Sequence, residues 1–403
     1  MNGQAVIVGG GQAAHCAALA MRQSGYAGRI VLVGEEPIRP YERPPLSKAV
    51  LVEAEPAMPF FSPEARYAEV SVELRLGIRV EAIESANGRL RLADGTSLAY
   101  DSLLIATGGR ARRLAIPGGE HVRYLRTRAD AEVIRGELAG ARRVVCIGAG
   151  VIGLEVAASV RALGAEVTVV EAGATLMGRC IAAGEAEFMR ALHEAKGVAI
   201  RFGAEVRRVD VSGGEKRVIL AGGEALPADC IVAGVGMVRN VGLAAEAGIL
   251  VDNGIVVDDG GRTSLPGVYA AGDVTAFFHP LFGRCMRLES FYHAQGQGTV
   301  VGRVMAGVEA RYEDIPRFWT DQHGVNLQVA GSPADAEHTV LRGSHEDARF
   351  TAIHIGEDGR VVGVTAANSA RDMRPALEMI RSGLRPDVAT LADMAVPLNK
   401  IAA

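Results

Sequence analysis

The chain has 403 residues, 49% of them apolar, with 50 glycines and a formal net charge of −4. This length exceeds one ordinary core, the composition excludes a disordered chain, and the charge balance excludes a nucleic-acid footprint or an acidic tail. Lysine is scarce among the 43 basic residues (Lys48, Lys196, Lys216 and Lys400), so a lysine inside a motif draws attention.

The apolar run Ala5 to Val8 has no basic segment before it and leads into Gly9-Gly10-Gly11-Gln12-Ala13-Ala14, so it reads as a strand of the fold rather than a leader. A helix-like stretch, a second apolar run (Ile30 to Val33) and an acid, Glu35, follow. This is the order of a βαβ dinucleotide-binding unit. Glycines let the backbone approach a pyrophosphate at a helix N-terminus, and the distal carboxylate accepts hydrogen bonds from a ribose. Alternating segments come next (Val72 to Leu76, Arg79 to Glu84), then a hairpin at Asp94-Gly95 and an apolar run, Ser102 to Ala106, into Thr107-Gly108-Gly109.

The same order then recurs. Val144 to Ile147 leads into Gly148-Ala149-Gly150-Val151-Ile152-Gly153, and Val167 to Val170 ends at Glu171. Val198 to Phe202, Val206 to Val211, a hairpin at Gly222-Gly223 and Asp229 to Val235 running into Gly236 complete the repeat. One GxGxxG is weak evidence, but two complete units imply two nucleotides: a resident redox cofactor and a diffusible one. From Ile249 the pattern returns to the first domain through Val268-Tyr269-Ala270-Ala271-Gly272-Asp273. A third unit begins near Phe318, with strands at Thr339 to Arg342, Phe350 to Ile355 and Val361 to Ala366 and an amphipathic helix from Arg374 to Ser382. The expected fold is α/β, with two duplicated Rossmann-like domains (1–112 with 249–317, and 113–248) and a C-terminal α+β domain (318–403).

Cys16, Cys146, Cys180, Cys230 and Cys285 are scattered without a CxxC, so no disulfide framework, zinc site or other metal site is expected. No segment reaches membrane-spanning length without glycine or charge, and a soluble, cytoplasmic protein is expected.

The chain resembles the FAD-dependent NADH:ferredoxin reductase components of bacterial oxygenase systems, the putidaredoxin reductase and biphenyl dioxygenase ferredoxin reductase family with the glutathione-reductase-type fold. The resemblance covers nearly the whole chain. It is most specific at Tyr41-Glu42-Arg43-Pro44-Pro45-Leu46-Ser47-Lys48, the run ending at Glu155, Tyr269 to Asp273, and Phe318-Trp319-Thr320-Asp321-Gln322. It departs at Ala14, where a third glycine is common, and at Phe291-Tyr292-His293.

The resemblance implies an FAD site built from Gly9, Gly11, Ala13, Ala14, Glu35, Arg43, Lys48, Val80, Thr107, Gly108, Arg126, Gly272, Asp273, Glu289, Ser290, Phe291 and Trp319. For NADH it implies Gly148, Gly150, Val151, Ile152, Gly153, Glu155, Glu171, Arg179 and Gly236. Lys48 and Glu155 are the implied catalytic pair, the ammonium countering charge on the reduced flavin. Glu171 favours NADH, because its carboxylate accepts ribose hydroxyls and repels a 2′-phosphate. The implied partner is a [2Fe–2S] ferredoxin or similar small iron–sulfur protein feeding a Rieske dioxygenase or cytochrome P450. A disulfide reductase is disfavoured, since no cysteine lies between Cys16 and Cys146 and position 48 is lysine. An NADH oxidase or NADH-responsive flavoprotein acting without a ferredoxin is the alternative.

Overall fold

Runs of valine, isoleucine and leucine buried on both faces favour parallel sheets covered by helices, and two such sheets organise the chain. The computed structural model describes residues 3–178 and 180–402. They fall into two units of interleaved sequence: one drawn from residues up to 42, 58–110 and 238–314, the other from 43–57, 111–237 and 315 onward.

In the first unit, Gln4–Val8 is the middle of a parallel sheet ordered Val268–Ala270, Ser102–Ile105, Gln4–Val8, Arg29–Gly34, Val72–Leu76. Val6, Val31 and Leu103 are fully buried on one face and Ile7, Leu32 and Leu104 on the other. Helix Gln12–Gln23 presents Ala13, Ala14, Ala17 and Ala18 to this core and packs on helix Phe291–Met305. The two helices approach closely because Gly298 and Gly302 face them: a Cβ there would lie 2.5 Å and 2.4 Å from the carbonyl oxygens of Ala13 and Ala17. An antiparallel meander, Val80–Glu84, Arg89–Leu92 and Ser97–Ala99, turns at Asp94-Gly95 as expected.

The second unit repeats this plan. Val198–Arg201, Glu166–Val170, Arg143–Ile147, Cys230–Ala233 and Arg123–Tyr124 lie in that order, all parallel, and Val206–Ser212, Glu215–Leu220 and Ala225–Ala228 form the matching meander. The C-terminal part is an antiparallel sheet ordered Arg317–Gln322, Val325–Gly331, Val361–Ala367, Arg349–Ile355, His338–Ser344, with helix Met373–Ser382 packed on it.

Two segments lie elsewhere than their sequence position suggests. Residues 43–57 belong to the second unit: Ser159 donates from Oγ to the Ser47 carbonyl (2.6 Å), and Arg135 donates to the Glu53 carbonyl (3.0 Å). Residues 238–248 belong to the first, where Asn240 donates its N–H to the Gly108 carbonyl (3.0 Å) and Ala244 is fully buried with Val80 and Leu92. All five cysteines are unbridged thiols. Among the described residues, no helix is long and apolar enough to cross a membrane, and no group of three or more His, Cys, Asp or Glu residues is placed to hold a metal ion.

Candidate functional site

In the first unit the fingerprint turn is held open by its backbone. Gly9 adopts φ +130°, its N–H donates to the Val33 carbonyl (2.8 Å), and a Cβ there would lie 2.2 Å from the Ala106 carbonyl oxygen. Gly11 is the N-cap of Gln12–Gln23, with no side chain capping that end and nothing within 4 Å of a Cβ built on it. No side-chain cap occupies this helix start, the setting an anion needs. Ala13 and Ala14 are buried, so the methyl that replaces the common third glycine sits in the core. Glu35 is exposed just beyond the Arg29–Gly34 strand.

The other residues of this unit frame the same fingerprint. Asn240 clamps the loop after Ser102–Ile105: Thr107 donates from Oγ1 to the Asn240 carbonyl (2.9 Å), and the Asn240 side-chain amide donates to the Thr107 carbonyl (3.0 Å). The Gly272 N–H donates to Gln297 Oε1 (2.8 Å), which fixes the partly buried Asp273 at the end of its strand. Ser290 accepts from the His293 N–H (3.2 Å) and caps Phe291–Met305. His293 hydrogen-bonds the Tyr312 hydroxyl (2.9 Å) and the Gly272 carbonyl (3.3 Å), and burial pushes its pKa down to about 4. Two expected FAD contacts have other duties. Val80 packs in the meander core, and Glu289 is ion-paired with Arg239 and with Arg287 (3.5 Å). The uncapped helix start, with the acids Glu35 and Asp273 at strand ends, fits a dinucleotide with its pyrophosphate and hydroxyl groups.

The second unit carries the other fingerprint. Gly148 has φ +98°, donates to the Val170 carbonyl (2.7 Å), and leaves 2.7 Å between a built Cβ and the Gly234 carbonyl oxygen. Gly150 caps Val151–Ala162 without a side-chain bond. On that helix Val151 is partly exposed, Ile152 is 41% exposed and Gly153 is buried. Glu171 accepts from the Ala149 N–H and the Gly173 N–H, one on each oxygen and both at 2.7 Å. Its carboxylate is thereby fixed beside the glycine turn with lone pairs left for hydroxyl donors. Gly236 has φ +100° and open space around it. Arg179 lies outside the described residues.

This unit also joins Lys48 to Glu155. Pro44–Ser47 is one turn of 3₁₀ helix, its entry shaped by two prolines, and it delivers Lys48 to the second fingerprint helix. Lys48 Nζ lies 2.8 Å from Glu155 Oε1 and donates to the Pro44 carbonyl (3.1 Å); the two side chains are 21% and 3% exposed. Glu155 also accepts from Ser47 Oγ and from Thr320 Oγ1 (2.6 Å). A buried carboxylate needs such partners, and one cation with two hydroxyls supplies them. Arg43 Nη1 donates to the Arg126 carbonyl (2.6 Å), and Asp130 holds the Arg126 and Thr127 N–H groups in a capping box. Trp319 is partly exposed and sits opposite Gln328 on the neighbouring strand.

Ser47 and Thr320 are the partners that sequence reasoning missed. Both lie inside motifs that carried the family resemblance, and strand alternation puts Thr320 and Gln322 on the face opposite Trp319. Asn240 and Gly234 carried no local signal.

Residues 3–298 match the family model described as pyridine nucleotide-disulphide oxidoreductase, and residues 317–402 match the one described as reductase C-terminal. The chain is 39% identical over 397 residues to the ferredoxin–NAD(+) reductase component of the anthranilate 1,2-dioxygenase system of Burkholderia cepacia, covering 98% of each. Its fold matches the ferredoxin reductase for the CYP199A2 system from Rhodopseudomonas palustris at TM-score 0.96 and 35% identity, covering 100% of both chains. It matches the reductase of the covalent putidaredoxin reductase–putidaredoxin complex at 0.95 and 35%, covering 99% and 98%. With two fingerprints, a Lys48–Glu155 pair and a reductase-type C-terminal sheet, the chain belongs to the pyridine nucleotide-disulphide oxidoreductases and, within them, to the ferredoxin–NAD(+) reductase components of oxygenase systems.

Proposed function

We propose that this chain takes hydride from NADH onto FAD and passes electrons singly to a [2Fe–2S] ferredoxin that feeds a Rieske dioxygenase or a cytochrome P450. The Lys48–Glu155 pair carries this reading: a buried carboxylate on the second fingerprint helix is matched to a lysine from a proline-fixed loop. FAD, when bound, supplies the step from a two-electron donor to a one-electron acceptor. In this reading the FAD residues are Gly9, Gly11, Glu35 and Asp273 together with Arg43, Arg126 and Trp319. Gly148, Gly150, Glu171 and Arg179 hold NADH, and the division into 1–112 with 249–317, 113–248 and 318–403 separates the duties, apart from residues 43–57 and 238–248, which fold with the other unit. Lys48 stabilises negative charge as hydride arrives, and Glu155 holds the ammonium in place. We place the reaction in the cytoplasm, where NADH is available.

The protein should purify yellow and bleach when NADH is added without oxygen. NADH-driven cytochrome c reduction should rise when a [2Fe–2S] ferredoxin is added and weaken as salt increases, because exposed docking charges are screened beyond about 8–10 Å. Flavin reduction without any ferredoxin stimulation, at every ionic strength, would replace this reading with an NADH oxidase or an NADH-responsive flavoprotein.

A further inference from the structure

From Glu155 Oε1, the oxygen that also meets Lys48, a line of buried side chains reaches two histidines. Thr320 Oγ1 lies 2.6 Å from Glu155 Oε1, and Gln322 Nε2 donates to Thr320 Oγ1 (2.9 Å). His193 Nε2 lies 2.7 Å from Gln322 Oε1, and His323 Nε2 lies 3.2 Å from His193 Nδ1. Thr320, Gln322 and His193 are at most 1% exposed. All five residues belong to the second unit, on helices Val151–Ala162 and Ala183–Ala195 and on strand Arg317–Gln322 with its turn.

The direction of every bond follows from one end. As a carboxylate, Glu155 only accepts, so the single Thr320 proton points at it and Thr320 must accept from Gln322. That turns the Gln322 amide so that its oxygen faces His193, which must carry its proton on Nε2. The neutral ring then accepts on Nδ1 from His323 Nε2–H. His323 occupies the hairpin turn between Arg317–Gln322 and Val325–Gly331 at φ +52°. In that conformation its ring meets His193 edge-to-face, 4.5 Å between centroids.

We infer that Thr320, Gln322 and His193 are positioning residues for the reductase reaction: a one-directional hydrogen-bond relay that holds Glu155 in the rotamer that aims it at Lys48. The relay rests on the proposed reading of Lys48 and Glu155 and accounts for Thr320 and Gln322 in Phe318-Trp319-Thr320-Asp321-Gln322. Burial keeps both rings neutral, lowering the His193 pKa and taking that of His323 to about 4, where the neighbouring His193, Lys196 and Arg161 push the same way.

The test uses the full-length FAD-loaded protein. Gln322→Glu keeps shape but replaces the amide donor toward Thr320 with a carboxylate oxygen, an acceptor that competes with Glu155 for the Thr320 proton. Flavin reduction at saturating NADH should slow about tenfold, the order expected for a hydrogen bond to a charged group, while half-saturation stays within about twofold. Thr320→Val should produce the same slowing, and Gln322→Glu should add almost nothing in the Thr320→Val background, because it acts through Thr320. Independently of turnover, ¹⁵N NMR of histidine-labelled wild type at pH 7 should show His193 neutral and protonated on Nε2. A Gln322→Glu protein as fast as wild type, an additive loss in the double variant, or an Nδ1-protonated His193 overturns the relay. If Gln322→Glu loses FAD, Thr320→Val and the tautomer decide. Failure of NADH to reduce the wild-type flavin would instead overturn the proposed function, and the tautomer would still settle the polarity of the relay.

Discussion

At the scale of single residues, we propose that Glu171 sets the choice of nucleotide. Glu171 is bound to the Ala149 and Gly173 N–H groups, so its charge cannot swing away from a ribose placed over the Gly148–Gly153 turn. A 2′-phosphate there meets a fixed negative charge, and the ratio of kcat/KM for NADH over NADPH should exceed about ten, the loss expected for one charge-assisted hydrogen bond. Glu171→Arg should bring the ratio towards one or reverse it, as steady-state kinetics with both nucleotides would show; equal use of both by the unaltered protein contradicts the assignment. Glu171 was legible in the sequence because strand, glycine turn and acid are local to one βαβ unit. Ser47 was not, because its bond to Glu155 joins positions more than a hundred residues apart and depends on which unit the proline loop joins.

At the scale of elements, the duplicated sheets were readable because apolar runs, glycine turns and hairpins recur in the same order. Helix Phe291–Met305 was not, since Gly296, Gly298 and Gly302 blur its period and lower its propensity. Gly298 and Gly302 serve the neighbouring helix rather than their own. Gly302→Ala isolates the point. Alanine gains about 1 kcal/mol of helix propensity, yet its Cβ would sit 2.4 Å from a backbone oxygen of the first fingerprint helix, which a side-chain rotation cannot relieve. Overpacking of this kind costs about 1–3 kcal/mol, so the variant should unfold at lower urea and release FAD sooner. A variant as stable as wild type would mean that the helices can separate freely.

For the whole molecule, acid is the expected weakness. His15, His293 and His354 are 7%, 2% and 0% exposed, and burial takes each pKa from 6.5 down to about 4. Their partners, Tyr67, Tyr312 and the Thr339 and Thr365 hydroxyls, suit neutral rings. The unfolded chain therefore binds more protons between these values. Stability is fully present above about pH 6.5 and drains as pH falls towards 4, at up to about 1.4 kcal/mol per pH unit for each ring. Glu185, raised by burial, works in the opposite direction but is one group against these rings and His193 and His323, whose pKa values are lowered as well. Thermal melts should drop by several degrees between pH 7 and pH 5, and a flat profile there would contradict the neutral-ring assignment. The interleaved sequence also bears on how the chain is made. The Ser102–Ile105 strand gains its outer neighbour, Val268–Ala270, only after the whole second fingerprint has been synthesised. At about 5–20 residues per second, the intervening roughly 160 residues take on the order of 10–30 s. Through that interval a nascent β edge stays open while a second set of apolar strands, Arg143–Ile147 and Cys230–Ala233, emerges beside it on the same ribosome. The exposure of the growing chain to strand exchange is thus timed by the inserted unit, not by the stability of the finished one.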